Sequence, residues 1–321
     1  MGVSVIIPTY NNERTIGLVI EALKNQKISK DMMEVIIIDD GSKDSTIEIC
    51  ESHGINVIKN NKNKGLSYTL NRGITLSKHE IVVTLHGDTI PLSENWLSEL
   101  IDPLDDFSIA ASCSLQEPPT HSSDVLSIWE KLLWSKLDEH NALNNKADAY
   151  RKGVLIEINL FDSHTFRTAG EDEDLALRLR LTNKKIAATK AKVLHAHMFK
   201  CDTDFKCLIK ILKKEYIFGQ AGGALRRKKP FYKPGSYVFP SPKSFIMDGL
   251  FRTFICIGSL LPYIQIVCIP ILIIASLFGI TKSMNYIKNK KVIFLYPSFN
   301  IIRFWVFSIG YIIGIFKGKQ T

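Results

Sequence analysis

Four short stretches gather residues able to do chemistry: Asp39-Asp40-Gly41-Ser42, His86-Gly87-Asp88, Glu171-Asp172-Glu173-Asp174 and His195-Ala196-His197. A carboxylate of the first can hydrogen-bond the imide or ring nitrogens of a nucleobase, with Tyr10 stacked on it. Asp88 ends an apolar run, where it is placed to hold a divalent cation that neutralises a pyrophosphate. The four acids open an apolar-periodic segment, which suits the positive end of a helix dipole, and one of them can take a proton from a hydroxyl. Alternating histidines on a strand point to one face, where one can complete a metal shell or meet a diphosphate. Plainer readings stand beside these. Asp-Gly is a common turn, an acid run caps a helix, and histidines close a strand. His195, His197, Cys201 and Cys207 also have the ligand types of a structural zinc site, although their spacing matches no zinc motif.

The elements that position these groups are legible from hydrophobic periodicity. Val3 to Ile7, Val35 to Asp39, Ile55 to Lys59 and Glu80 to Leu85 read as strands, alternating with helical patterns over Thr15 to Asn25, Ser45 to His53 and Leu66 to Thr75. Such alternation predicts βαβ units and a mostly parallel, Rossmann-like α/β sheet. Ligands bind such sheets beyond the carboxyl ends of the strands. The polar residues after each strand, Pro8-Thr9-Tyr10-Asn11-Asn12-Glu13, Asp39 to Ser42 and His86 to Thr89, therefore gather at one rim.

Val3 to Asn11, Ile38 to Thr46, Asn63-Lys64-Gly65-Leu66-Ser67 leading to Asn71-Arg72-Gly73, and Leu85-His86-Gly87-Asp88 followed by Pro91 and Trp96-Leu97 occur in order. Together they resemble the inverting glycosyltransferases of family 2, which have the GT-A fold, over most of residues 1 to 220. The resemblance implies that Pro8, Tyr10, Glu13, Asp39 and Asp40, with Gly65 and His86, surround a nucleoside diphosphate sugar. It implies that Asp88, helped by His195, reaches Mg²⁺ or Mn²⁺. Asp172 falls on the family's catalytic base, Glu171 on a residue that orients it or touches the acceptor, and Asp174 on a structural position. Trp129, Trp134 and Arg151 lie where the family closes over its acceptor, although helix packing explains the tryptophans equally well. One departure concerns the metal motif, usually Asp-x-Asp, whose first position is His86 here. A histidine can ligate Mn²⁺ or contact ribose or phosphate. The implied reaction is a single inverting displacement; transfer to a polyprenyl phosphate and catalytically silent binding of a nucleotide sugar are the alternatives.

Charge and hydropathy divide the chain. The net charge is +9, and eleven Lys or Arg between Lys200 and Lys243 oppose only Asp202, Asp204 and Glu215. A basic belt beside an apolar tail suits an anionic bilayer better than nucleic acid. Thr253 to Thr281 holds no charged residue and Val292 to Phe316 holds only Arg303, so each stretch is long enough to span a bilayer. Pro262 and Pro270 allow the first to divide into an in-plane helix and a span. Because Met1 leads into Val3-Ser4-Val5, export through a secretory leader is not expected, and six scattered cysteines favour a reduced compartment. The expected organisation is a GT-A domain over 1–225, a basic juxtamembrane linker over 226–248 and membrane-associated helices over 249–321. The catalytic domain is expected to face the cytoplasm, with a lipid-linked or glycan acceptor and no nucleic-acid partner.

Overall fold

The computed structural model describes residues 2–117, 126–134, 140–141, 143–196, 199, 201–228, 252–277 and 290–320. The chain divides into two compact units. The first comprises Met1–Pro119, Glu139–His197 and Gly235–Phe239; the second comprises Thr120–Asp138, Met198–Pro234 and Pro240–Thr321.

In the first unit, β1 (Val3–Thr9), α1 (Ile16–Lys24), β2 (Met33–Asp39), α2 (Thr46–Ser52), β3 (Val57–Lys59), α3 (Leu66–Leu76) and β4 (Ile81–Leu85) follow the expected alternation. The strands lie parallel in the order β3-β2-β1-β4, with Thr9 opposite Asp39 and Ile6 opposite Thr84. Period-two side-chain alternation sends Val3, Val5 and Ile7 into a core with Ile16, Val19, Ile20 and Leu23 of α1. Ile6 and Val82 point the other way, onto Leu70 and Ile74 of α3. Full burial of each such aliphatic side chain contributes about 1.5–3 kcal/mol. Gly73 of α3 is required by that packing, because a Cβ there would lie 2.3 Å from Ile6 Cγ2.

Antiparallel pairing enters the sheet at β4. The chain continues through β5 (Thr89–Pro91), α4 (Trp96–Ile101), β6 (Ile109–Glu117), α5 (Ile128–Trp134, in the second unit), β7 (His140–Asn141), β8 (Ala147–Arg151), α6 (Lys152–Glu157), α7 (Glu171–Arg180) and β9 (Lys185–His195). β8 runs antiparallel to both β4 and β6, β5 antiparallel to β9, and β6 parallel to β9. The sheet is mixed rather than mostly parallel. The antiparallel return of β8 brings its first residue, Ala147, beside the last residue of β4, Leu85. Loops before β8 thereby join the same rim as the loops after β1, β2 and β4.

The second unit is helical. Its long helix α8 (Asp204–Lys228) packs along the C-terminal helix Tyr296–Lys317, which in turn packs on the helix Gln265–Leu277. The domain boundary therefore falls near His197 rather than residue 225, because α8 belongs with the C-terminal helices. Most of the expected linker lies outside the described residues. Among the described residues one helix, Ile293–Lys317, is long and apolar enough to cross a membrane.

Candidate active site

The rim is built first by two loops stitched together. Asn11 N–H donates to Ser42 Oγ at 2.9 Å, Lys43 N–H to Asn11 Oδ1 at 2.8 Å, and Asn12 N–H to Thr46 Oγ1 at 2.7 Å. Glu13 joins the seam, its Oε2 accepting from Ser45 N–H at 3.3 Å. Pro8 is buried within β1, while Tyr10, one residue past the strand, is 46% exposed and so free to offer a ring face.

The acid pair is almost fully buried and has structural work. Asp39 Oδ2 accepts from the N–H groups of Gly41 and Ser42, both at 2.9 Å, and its Oδ1 from Thr9 Oγ1 at 3.3 Å. Asp40 Oδ1 accepts from Asn60 Nδ2 and Lys64 N–H, and its Oδ2 from Gly65 N–H, all at 2.8 Å. These carboxylates shape the nucleotide-facing loops expected from the sequence by holding their amides. Gly65 has its own reason: φ is +94°, and a Cβ would meet Arg167 Cγ at 2.3 Å.

At the end of β4, His86 N–H donates to Lys146 O at 2.9 Å, and His86 O accepts from Thr89 N–H at 3.0 Å. His86 is half-buried in this turn. β5 then pairs Thr89 with His195 of β9, and Asp88 Oδ2 lies 3.8 Å from His195 Nε2. No group of three or more His, Cys, Asp or Glu gathers as a cation cage among the described residues. The Asp88–His195 pair nevertheless fits Mg²⁺ or Mn²⁺, because such ions are commonly held by one or two protein side chains together with substrate phosphates and water. His197 lies outside the described residues, and Cys207 is a buried thiol receiving Ser127 Oγ at 2.9 Å.

The acid run begins α7, entered through Gly170 at φ 83°. Asp174 is taken up by Arg178, whose Nη2 lies 2.7 Å away and whose Nη1 donates to Leu160 O at 2.6 Å. Glu171 is buried, with Asn145 Nδ2 3.5 Å from its Oε1 and no hydrogen-bond partner at its Oε2 among the described residues. Burial, then the charge of Asp172, pushes the Glu171 carboxyl up to about 8. Burial and Asp172 likewise push Glu173 up to about 8. Asp172 keeps part of its surface exposed, yet burial raises its carboxyl too, opposed chiefly by the Lys146 charge.

Several residues of this cluster carry no recognisable motif. Asp148 of β8 is buried and pushed up to about 7 by burial, against two backbone donors: Asn144 and Asn145 N–H groups reach its Oδ2 at 2.7 and 2.6 Å. Tyr150 donates to Asn145 Oδ1 at 2.9 Å. Lys146, half-buried in the same loop, favours the ionised forms of Asp148, Glu171 and Asp172. The available signal was an acid placed inside the apolar strand Ala147-Asp148-Ala149-Tyr150, preceded by an Asn-Asn turn.

The expected acceptor residues are divided between the two units. Arg151 lies at the opposite end of β8, paired with Ile81 at the start of β4. Its guanidinium donates to the carbonyls of Leu104, Asp106 and Ile109 and covers the Phe107 ring at 4.6 Å. That is a structural role, fixed by antiparallel pairing. Trp129 belongs to the second unit, with its ring 5.4 Å from Phe299 in a core containing Leu132, Ile211 and Tyr296. Helix packing accounts for it. The Trp134 side chain lies outside the described residues.

A parallel βαβ half joined at β4 to a half of mixed strand direction, with acids at the shared rim, is the GT-A fold. The chain belongs to the family described as Glycosyl transferase family 2, whose profile matches residues 4–164. An O-antigen chain rhamnosyltransferase of Salmonella typhimurium is 27% identical over 223 residues, covering 64% of this chain and 70% of the relative. A second, from Salmonella anatum, is 28% identical over 226 residues, covering 63% and 69%. Among solved structures, a Pyrobaculum calidifontis mannosyltransferase in complex with GDP-Man and Mn²⁺ aligns with a TM-score of 0.60 and 16% identity, over 99% of this chain and 88% of that one. The chain is therefore a glycosyltransferase.

Proposed function

We propose that this enzyme moves a sugar from a nucleoside diphosphate donor to a hydroxyl of a glycan or lipid-linked acceptor at a membrane, inverting the anomeric centre. The observation that carries the reading is the Asn144-Asn145-Lys146 loop, which contacts His86 on one side and Glu171 on the other. It connects the diphosphate end of the rim with the acids that open α7. The rhamnosyltransferase relatives and the neighbour bound to GDP-Man and Mn²⁺ support a nucleotide-sugar donor and a glycan acceptor.

In this mechanism Asp172 accepts the proton of the acceptor hydroxyl as that oxygen attacks the anomeric carbon. The nucleoside diphosphate departs from the opposite face. The raised Asp172 carboxyl is a stronger base than an exposed aspartate, which favours proton removal in the transition state. Lys146 favours its charge, and that charge in turn helps hold the neighbouring Glu171 carboxyl raised. Asp88 and His195 would hold Mg²⁺ or Mn²⁺, and His86 would meet the ribose or phosphate. When bound, the cation would neutralise the departing diphosphate. Tyr10 stacks on the base, and the loops held by Glu13, Asp39, Asp40 and Gly65 close around it.

The test is release of nucleoside diphosphate from a panel of nucleotide sugars, using full-length protein with membrane extract as acceptor and Mn²⁺, Mg²⁺ or chelator. Metal-dependent release from one or two donors, lost in Asp172→Asn, is expected. Turnover that survives Asp172→Asn would favour an already ionised lipid phosphate as acceptor. Donor binding without consumption would overturn the catalytic reading.

A further inference from the structure

The helix that composition marks as a membrane span, Ile293–Lys317, is bound along its length to a helix that cannot enter a bilayer. α8 carries Asp204, Glu215 and seven Lys or Arg in 25 residues. The two helices touch backbone to backbone. A Cβ on Gly219 or Gly223 would lie 2.1 Å from the carbonyl oxygen of Phe307 or Tyr311, and one on Gly310 or Gly314 would lie 2.2 or 2.1 Å from that of Tyr216 or Gln220. Paired small-xxx-small spacing permits this approach. Arg303, the one charge inside the apolar stretch, donates through Nε to Glu215 of α8 at 2.7 Å, and Arg227 of α8 caps the Phe316 carbonyl. Crossing a bilayer would require the C-terminal helix either to shed these contacts or to carry α8 with it.

The uncharged segment before it has a different shape. Residues 252–258 are helical, a turn follows, and Gln265–Leu277 forms a second helix of 13 residues, about 20 Å long and short of the roughly 30 Å hydrocarbon core. The two helices lie side by side: a Cβ on Gly258 would sit 2.4 Å from Cys268 Sγ. At the turn Tyr263, at φ 67°, is 87% exposed and Leu260 is 69% exposed. The second helix buries Cys268, Leu272 and Ser276 and turns Ile266, Ile273 and Ile274 outward. Residues 249–321 contain eight Lys or Arg and no Asp or Glu. An apolar tip whose nearest flanking charges are Arg252 and Lys282, with Asp248 the one acid close by, complements an anionic bilayer surface.

We propose that residues 252–277 are a re-entrant wedge that dips into one leaflet of an anionic bilayer, and that the C-terminal helix stays on the catalytic side, locked to α8. Residues 252–277 and the C-terminal helix thus attach the chain from one side, without a crossing among the described residues. This deepens the membrane attachment in the proposed function and rests on that part of it, independently of the transfer reaction.

The experiment uses full-length protein with an epitope at each end, bound to sealed vesicles of neutral phosphatidylcholine or of phosphatidylcholine with 30% phosphatidylglycerol. The expected result is at least about tenfold more binding to the anionic vesicles, weakened by salt. Trypsin added outside removes both epitopes and cuts within residues 282–291, where four lysines lie. L260D and Y263D release the protein from vesicles while donor turnover in detergent is retained. A protected C-terminal epitope, or a protected 282–291 loop beside two accessible epitopes, would leave attachment standing and overturn the one-sided wedge. Absence of binding to either vesicle, with concentration-dependent dimers that L260D dissolves, would overturn attachment itself and assign the apolar face to a second copy.

Discussion

His195 Nε2 lies 3.8 Å from Asp88 Oδ2 because β5 and β9 pair antiparallel with Thr89 opposite His195. The pair spans 107 positions of sequence, and a short strand of three residues brings it together. In a site that holds its cation with two protein side chains and the substrate's phosphates, each side chain carries a large share of the affinity.

Asp88→Ala is therefore expected to abolish metal-dependent turnover, and His195→Ala to raise the Mn²⁺ concentration for half-maximal rate by about 10- to 100-fold. Metal titrations of the initial rate check both. His86→Asp restores the usual acid of the motif and is expected to add an oxygen ligand beside Asp88, lowering the Mg²⁺ concentration for half-maximal rate.

Asp172→Asn removes the base without changing its shape. A fall in kcat of about 10³-fold is expected, with donor affinity within about twofold of the parent protein. Isothermal titration with the donor separates the two quantities. Equal losses in both would place Asp172 in binding instead.

The acidic limb of the pH–rate profile follows from the charges around Asp172. Burial raises this carboxyl and the Lys146 ammonium opposes the rise. Lys146→Met is expected to move the acidic limb to higher pH, whereas Lys146→Arg leaves it near its original position. Profiles of kcat/KM measured from pH 5 to 9 report the shift.

Stability follows the same carboxyls with a definite sign. Glu171 and Glu173, both pushed up to about 8, and Asp148, pushed up to about 7, bind more protons in the folded than in the unfolded chain across the intervening range. Their protonated forms are compatible with burial, so this contribution is fully present below the unfolded carboxylate range, near pH 4, and is lost as pH rises through about 7 to 8. Thermal melts are expected to show Tm falling by several degrees between pH 5 and 8.5. Glu173→Gln flattens the slope.

Glu215 and Arg303 form a mostly buried ion pair between α8 and the C-terminal helix. Glu215→Gln alone leaves a buried guanidinium uncompensated and is expected to destabilise the second unit by about 3–5 kcal/mol, whereas Glu215→Leu with Arg303→Met recovers most of the loss. Chemical denaturation of the two variants in detergent distinguishes them.

The N-terminal half of the fold was legible because its signals are local. Short β-branched runs separated by amphipathic helices dictate β1 to β4, and parallel pairing then places Tyr10, Asp39 and His86 at one rim whatever follows. The acid run at the start of α7 was legible for the same reason. Asn145, Lys146 and Asp148 were not, since a residue in a turn or a short strand has no spacing pattern that announces its partners.

By itself the sequence determined the family, the βαβ order and the chemical types at each strand end, because periodicity and motif spacing are properties of neighbouring residues. Tertiary structure decided which of them meet. The antiparallel return of β8 set Lys146 beside His86 and carried Arg151 to the opposite end of the sheet. Close glycine contacts assigned α8 to the C-terminal unit and gave an apolar, span-length helix a charged partner. Pairing direction and backbone approach are set by contacts between distant segments, and no local pattern encodes them.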